Sequence, residues 1–212
     1  MRYSSIFKLI LTPMNFIFSS DFIQSNGLFL KQFVTKPRSV GAILPSSKFL
    51  AKKMMDQIDF SKARCIVEIG PGTGAFTEQL LKYRKSDQCQ LILIETNELF
   101  CRQLQDKYQY VENLRIIHDS GEKVNFYKMK YEIDQIDYVV SGIPFSSLPK
   151  QVSQNILTSV TKAIGSTGSL ILFQYSLFKM KTITMFFDIT HIERSWLNVP
   201  PALVFSCRQK AE

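Results

Sequence analysis

The stretch VEIGPGTGAF, residues 67–76, constrains this chain more than any other. An apolar run, CIVEI, ends in three glycines spaced two apart, Gly70, Gly72 and Gly74. It then gives way to AFTEQLLKY, where Phe76, Leu80, Leu81 and Tyr83 recur at helical spacing. A buried strand that turns into a helix through such glycines lets the backbone approach a ligand closely. The loop is therefore of the kind that holds a nucleotide-type cofactor. Gly70 to Ala75 also satisfies G-x-G-x-x-A, the dinucleotide pattern, so the loop alone leaves the cofactor open.

Downstream the same alternation repeats. QLILIET reads as a second strand and NELFCRQLQDKY as a second helix capped by Asn97. LRIIHD reads as strand three, IDYVVSG as strand four and GSLILFQY as strand five, with a helix from about Pro149 to Ala163 between the last two. The polar stretch after strand three carries no clear pattern. The tail HIERSWLNVPPALVFSCR reads as two strands joined through a Pro200-Pro201 turn. This order predicts an α/β fold: a Rossmann-like sheet, mostly parallel with an antiparallel C-terminal strand and helices on both faces. With 212 residues, 45% hydrophobic and 21% charged, the chain can bury one good core.

The carboxylates narrow the cofactor. Glu95 ends strand two, where it can accept hydrogen bonds from ribose hydroxyls, and Asp119 ends strand three, where it can receive an adenine amino group. Glu68 lies inside the glycine motif. It suits a cofactor carrying an ammonium and a sulfonium better than one carrying a pyrophosphate. In this order the residues resemble the class I S-adenosylmethionine-dependent methyltransferases, and the resemblance spans roughly Cys65 to Gln209. It implies S-adenosylmethionine as cofactor, held by Glu68, Gly70, Gly72, Gly74, Glu95, Asp119, Ser141 and Gly142.

Charge is concentrated upstream of that domain. Through Arg64 there are ten cations against three acidic residues, which accounts for seven of the chain's net +8. Such a segment suits phosphates, of nucleic acid or of a membrane surface, and also suits a merely solvated basic face. The apolar opening IFKLILTPMNFIF is interrupted by Lys8, Pro13 and Asn15, short of the ~20 apolar residues of a bilayer span. Large apolar side chains from Phe16 to Phe33, followed by cations, fit an amphipathic membrane-interface segment; they equally fit packing on the domain's own core. Cys65, Cys89, Cys101 and Cys207 form no C-x-x-C pair, and with His118 and His191 they give no metal-ligand spacing. They read as core thiols of a reducing compartment.

Two more specific resemblances bear on the substrate. EIGPGTG is similar to the rRNA adenine dimethylases, which carry, after strand four, an Asn or Asp, then two residues of which the last is Pro, then an aromatic. Here the chain reads SGIPF. Ser141 is taken to replace the amide, which weakens base methylation, while Phe145 keeps an aromatic that can stack on a flat substrate. FLKQFVTKPRSVGAILPSSKFLAKKM, together with the glycine loop, VVSGIPF, LFQYS and NVPPALVF, resembles the bacterial phosphatidylethanolamine N-methyltransferases. That resemblance implies residues 1–54 as a basic, apolar helical segment for membrane and substrate contact, and 55–212 as the methyltransferase domain. It implies methyl transfer to the amine of a phospholipid headgroup, phosphatidylethanolamine or its methylated forms, by a cytoplasmic protein peripherally bound to an anionic membrane. Nucleic acid is not the expected partner, although rRNA adenine or another small amine remains an alternative substrate. No obligate protein partner is evident.

The chemistry asks for positioning rather than a nucleophile. Ser141, Gln174 and Tyr175, at the ends of strands four and five, are the expected residues for orienting the amine; Gln174 and Tyr175 also fit plain packing roles. Lys36, Arg38 and Lys48 are the expected phosphate ligands, Arg38 foremost because a guanidinium binds phosphate through two parallel bonds.

Overall fold

A computed structural model describes residues 45–84, 88–177, 180–196 and 201–210, with side chains from Phe49 onward. The strands are β1 Cys65–Ile69, β2 Gln90–Glu95, β3 Leu114–His118, β4 Tyr138–Ser141, β5 Ser169–Gln174, β6 Phe187–Ser195 and β7 Ala202–Gln209. The helices are α1 Pro45–Met55, α2 Ala75–Tyr83, α3 Glu98–Lys107, α4 Val124–Lys130, α5 Lys150–Ile164 and α6 Met180–Thr184.

The strands form one sheet in the order β3-β2-β1-β4-β5-β7-β6. β1 to β5 are parallel, and β7 runs antiparallel to β5 on one side and to β6 on the other. The expected architecture is the one observed. Because the parallel strands are covered on both faces, every residue of β1 and of β5 is buried. Alternation splits them between two cores. Val67, Ile69, Val139, Leu170 and Leu172 pack with Ile156, Leu157 and Val160 of α5. Ile66, Leu91, Leu93, Val140 and Ile171 pack on the other face with Phe76 and Leu80 of α2 and Leu104 of α3.

That second core also takes in α1 through Leu50, Ala51, Met54 and Met55, so the helix runs across residue 54, the expected boundary. Asn97 caps α3 as expected, its side chain accepting the Leu99 and Phe100 N–H groups. The four cysteines are free and buried. The polar stretch after β3, which carries no clear sequence pattern, holds a short 3₁₀ turn, Gly121–Lys123, and α4. β6 starts at Phe187, ahead of the expected tail. Among the described residues, no helix is long and apolar enough to cross a membrane.

Candidate active site

The site is built at the C-terminal ends of the parallel strands. Gly70, Gly72 and Gly74 all have left-handed backbones, at φ 67°, 57° and 87°, which explains three glycines in five residues. They do different work. A Cβ at Gly70 would sit 2.2 Å from the Ile143 side chain, and one at Gly142 would sit 2.4 Å from the Gly70 carbonyl oxygen. The Gly142 N–H also donates to Ile69 at 2.8 Å, so the loops after β1 and β4 are pressed together. Around Gly72, in contrast, nothing lies within 4 Å of where a Cβ would be. The middle glycine faces open space, and the outer two seal the loop below it.

Glu95 is buried at the end of β2 and fastens this loop. Its Oε2 accepts the Gly72 N–H at 2.9 Å and its Oε1 accepts the Asn97 N–H at 2.8 Å. Glu68 is wholly buried. Thr77 donates its hydroxyl to Oε2 at 2.7 Å, and Oε1 has no partner. Burial pushes the Glu68 carboxyl up to about 8, Glu95 adds to the rise, and Thr77 opposes it. Asp119 follows β3 and is tied by Ser120 N–H at 2.7 Å, Tyr127 hydroxyl at 2.7 Å and Lys123 at 3.1 Å. Partial burial works to raise it, and these bonds together hold it below the usual carboxylate range. Glu68, the three glycines, Glu95 and Asp119 thus converge at the ends of three neighbouring strands.

The β4 end differs from its expected form in two ways. Counted back from Pro144, the amide position of the rRNA adenine dimethylase pattern is Gly142, and Ser141 stands one residue earlier. The correction matters because the Gly142 Cα lies against the Gly70 carbonyl, where an amide side chain has no room. Ser141 is buried and folded onto its own loop, donating to the Ile143 carbonyl at 2.8 Å and accepting the Ile143 N–H at 3.3 Å. Phe145 is 1% exposed and belongs to the core beside α5, so its ring presents no stacking face in this structure. The aromatic is consumed by packing, a fate its position in the loop does not reveal.

Gln174 closes β5. Its Oε1 accepts the Ser146 N–H at 3.2 Å, joining β5 to the loop after β4, and its Nε2 is buried without a partner. Tyr175 is half-buried and meets Phe173 edge-on at 5.4 Å between centroids. Lys36, Arg38 and the Lys48 side chain lie outside the described residues. Nothing in the sequence marks Thr77, Tyr127 or Ser146; each becomes visible only once strand ends are adjacent. A shallow depression lined by Arg64, Gln90, Tyr131 and Gln135 lies at the opposite, N-terminal end of β1 and β2, away from all these groups.

Residues 39–194 match the family model described as ribosomal RNA adenine dimethylase. The chain belongs to that family. Among curated relatives, it is 26% identical to an ornithine lipid N-methyltransferase of Singulisphaera acidiphila, over 85% of this chain and 94% of that protein. It is 33% identical to a ribosomal RNA small subunit methyltransferase A of a Sulfurihydrogenibium species, over 47% of this chain and 37% of that protein. Among solved structures, the N-methyltransferase NodS from Bradyrhizobium japonicum, in complex with S-adenosyl-L-homocysteine, superposes with a TM-score of 0.62 at 12% identity, covering 79% of this chain and 89% of that one. A 1,6-didemethyltoxoflavin N1-methyltransferase from Burkholderia thailandensis gives 0.65 at 10% identity, covering 91% and 90%. The chain is an S-adenosylmethionine-dependent N-methyltransferase. Its residues fit that cofactor: open space over Gly72 gives room, and the unpartnered Glu68 oxygen suits a cation.

Proposed function

We propose that this protein methylates the amine of a membrane lipid headgroup at the membrane surface. The observation that carries this reading is Gly142: where base methylases of the family hold an amide or carboxylate, this chain has no side chain and no space for one. The likeness to an ornithine lipid N-methyltransferase along 94% of that protein supports it, as do the cations gathered ahead of the domain. Phosphatidylethanolamine and its methylated forms remain the substrates suggested by the N-terminal sequence, and an ornithine lipid is the one suggested by that relative.

S-adenosylmethionine, when bound, would supply an electrophilic methyl group on a sulfonium. The residues around it orient, exclude water and leave the attacking amine its lone pair. Gly70 and Gly142 fix the floor between β1 and β4, and Glu95 holds the Gly72 amide in place. The buried Nε2 of Gln174 is the group best suited to orient an incoming headgroup, with Ser141 and Tyr175 beside it at the ends of β4 and β5. Arg38, with Lys36 and Lys48, is assigned to the lipid phosphate.

A labelled methyl-transfer assay tests the reading, with phosphatidylethanolamine vesicles, ornithine-lipid vesicles and total RNA offered in parallel. Label in either lipid is the expected result. Label in RNA alone overturns it in favour of rRNA adenine methylation, the reading that the family match at residues 39–194 favours.

A further inference from the structure

Asp119 stands on a turn that is fastened from three sides. Its backbone N–H donates to the Glu95 carbonyl at 3.0 Å, which ties it to the end of β2. A Cβ at Gly121 would lie 2.5 Å from the Ile69 side chain, so the turn is pressed on the end of β1. From α5, Asn155 donates to Glu122 at 2.7 Å, and the Ser159 hydroxyl accepts the Asn125 N–H at 3.0 Å. The backbone under Asp119 is thereby fixed, and the freedom left to it is rotation of its carboxylate.

Tyr127 of α4 removes that freedom. It is 9% exposed, and its hydroxyl donates to Asp119 Oδ2 at 2.7 Å. Its own ring is held by Tyr131, stacked at 5.8 Å between centroids, and by Phe126, edge-on at 5.1 Å. Lys123 also reaches Oδ2, at 3.1 Å, from a side chain that is 56% exposed, where water screens the pair. Oδ2 thus has two donors and no lone pair to spare. Oδ1 takes the Ser120 N–H at 2.7 Å as its one partner among the described residues, and keeps a lone pair. Partial burial works to raise the Asp119 carboxyl, and the bonds from Tyr127, Ser120 and Lys123 outweigh it, so it stays ionised. The bond to Asp119 in turn pushes the Tyr127 phenol up to about 12, so the hydroxyl stays a donor.

An oriented carboxylate with one free lone pair accepts a bond from an amino group and repels a carbonyl oxygen. We infer that Tyr127 is a positioning residue that makes the cofactor pocket select adenine over hypoxanthine, by fixing which Asp119 oxygen is free to meet the base. The inference rests on Asp119 as the acceptor of the adenine amino group. It is independent of whether a lipid or an RNA receives the methyl group.

Calorimetric titration of the intact protein with S-adenosylhomocysteine and with S-inosylhomocysteine, which carries hypoxanthine in place of adenine, tests it. Wild type is expected to prefer the adenosyl compound by about a hundredfold. Tyr127→Phe keeps the rings packed and deletes the donor. Its preference should narrow by about tenfold, through weaker adenosyl binding with inosyl binding unchanged or improved. Lys123→Ala should leave the preference within about twofold, because its pair is exposed. Asp119→Asn, whose amide can turn a donor toward a carbonyl, should abolish the preference. Melting curves follow the folding of each variant. Equal weakening of both compounds in Tyr127→Phe overturns the inference, since a merely structural hydroxyl acts on both alike. So does a wild type that binds the two compounds equally. Wild-type preference in Tyr127→Phe beside a lost preference in Asp119→Asn overturns the role of Tyr127 alone. Wild-type preference in Asp119→Asn overturns the inference together with the placement of adenine at Asp119.

Discussion

The backbone N–H of Gly72 donates to the Glu95 carboxylate at 2.9 Å, so the turn that follows β1 is held by the end of β2. One carboxylate thereby sets the height of the loop and stands where ribose hydroxyls are expected. Glu95→Ala removes both roles. Cofactor affinity should fall by about 1–3 kcal/mol, because a charged acceptor is lost from a buried position. Calorimetric titration with S-adenosylhomocysteine checks this, and unchanged affinity in a folded variant would move the ribose site elsewhere.

The glycines separate folding from binding. Gly142→Ala drives a Cβ to 2.4 Å from the Gly70 carbonyl oxygen, a backbone atom with no freedom to retreat, so it should lower the melting temperature and solubility before it touches chemistry. At Gly72 a Cβ meets nothing within 4 Å, so Gly72→Val is opposed chiefly by the left-handed φ of 57°. That strain costs on the order of 1–3 kcal/mol. The protein should remain folded and lose cofactor binding. Thermal melts paired with cofactor titrations check the contrast; equal damage by both substitutions would contradict the open position of Gly72.

Glu68 makes the free enzyme pH-sensitive. Its carboxyl is raised to about 8 by burial, with Glu95 reinforcing and the Thr77 bond opposing. A raised acid keeps its proton in the folded state while the unfolded chain gives it up. Its stabilising contribution is therefore complete below about 4.5, the ordinary value, and is lost as pH rises through about 8. Glu68→Gln keeps an acceptor for Thr77 and removes the titration. The cofactor-free variant should melt higher than wild type at pH 8.5 and not at pH 4.5. Parallel melting curves across that range would sink the assignment.

The fold was readable because strand and helix lengths, glycine turns and Asn97 all point the same way. β1 and β5 are largely apolar and buried along their whole length, as sheets covered on both faces require. What escaped reading depends on partners far along the chain. α4 is seven residues long and buries only Val124 and Tyr127, too few for a helical period to show. Phe145 sits where a stacking aromatic is expected, and only the packing of α5 against β4 and β5 reveals that it is core. The roles of Gly70 and Gly142 are likewise joint: each is glycine because of the other's loop. Charge spacing shows a basic N-terminal segment but cannot show that Glu193 is answered by Lys53 across two elements.

Gln174 offers the sharpest division between holding and acting. Its Oε1 receives the Ser146 N–H at 3.2 Å and ties the loop after β4 to β5, while its Nε2 is buried with no partner. A buried amide hydrogen left unpaired costs about 1–3 kcal/mol, a cost that a bound headgroup oxygen can remove. Gln174→Glu keeps an acceptor for Ser146 and deletes the donor. Gln174→Leu deletes both. If the donor orients the substrate, kcat for lipid methylation should fall about tenfold or more in both variants, since each 1.4 kcal/mol of lost transition-state stabilisation is about a factor of ten. Only Gln174→Leu should also melt lower through the lost tether to Ser146. Cofactor affinity should survive in both, because Glu68, Gly72 and Glu95 lie on β1, in the turn after it and on β2. Steady-state kinetics at saturating cofactor, set beside melting curves, decide the matter. A Gln174→Glu enzyme with wild-type kcat would reduce Gln174 to a structural tether.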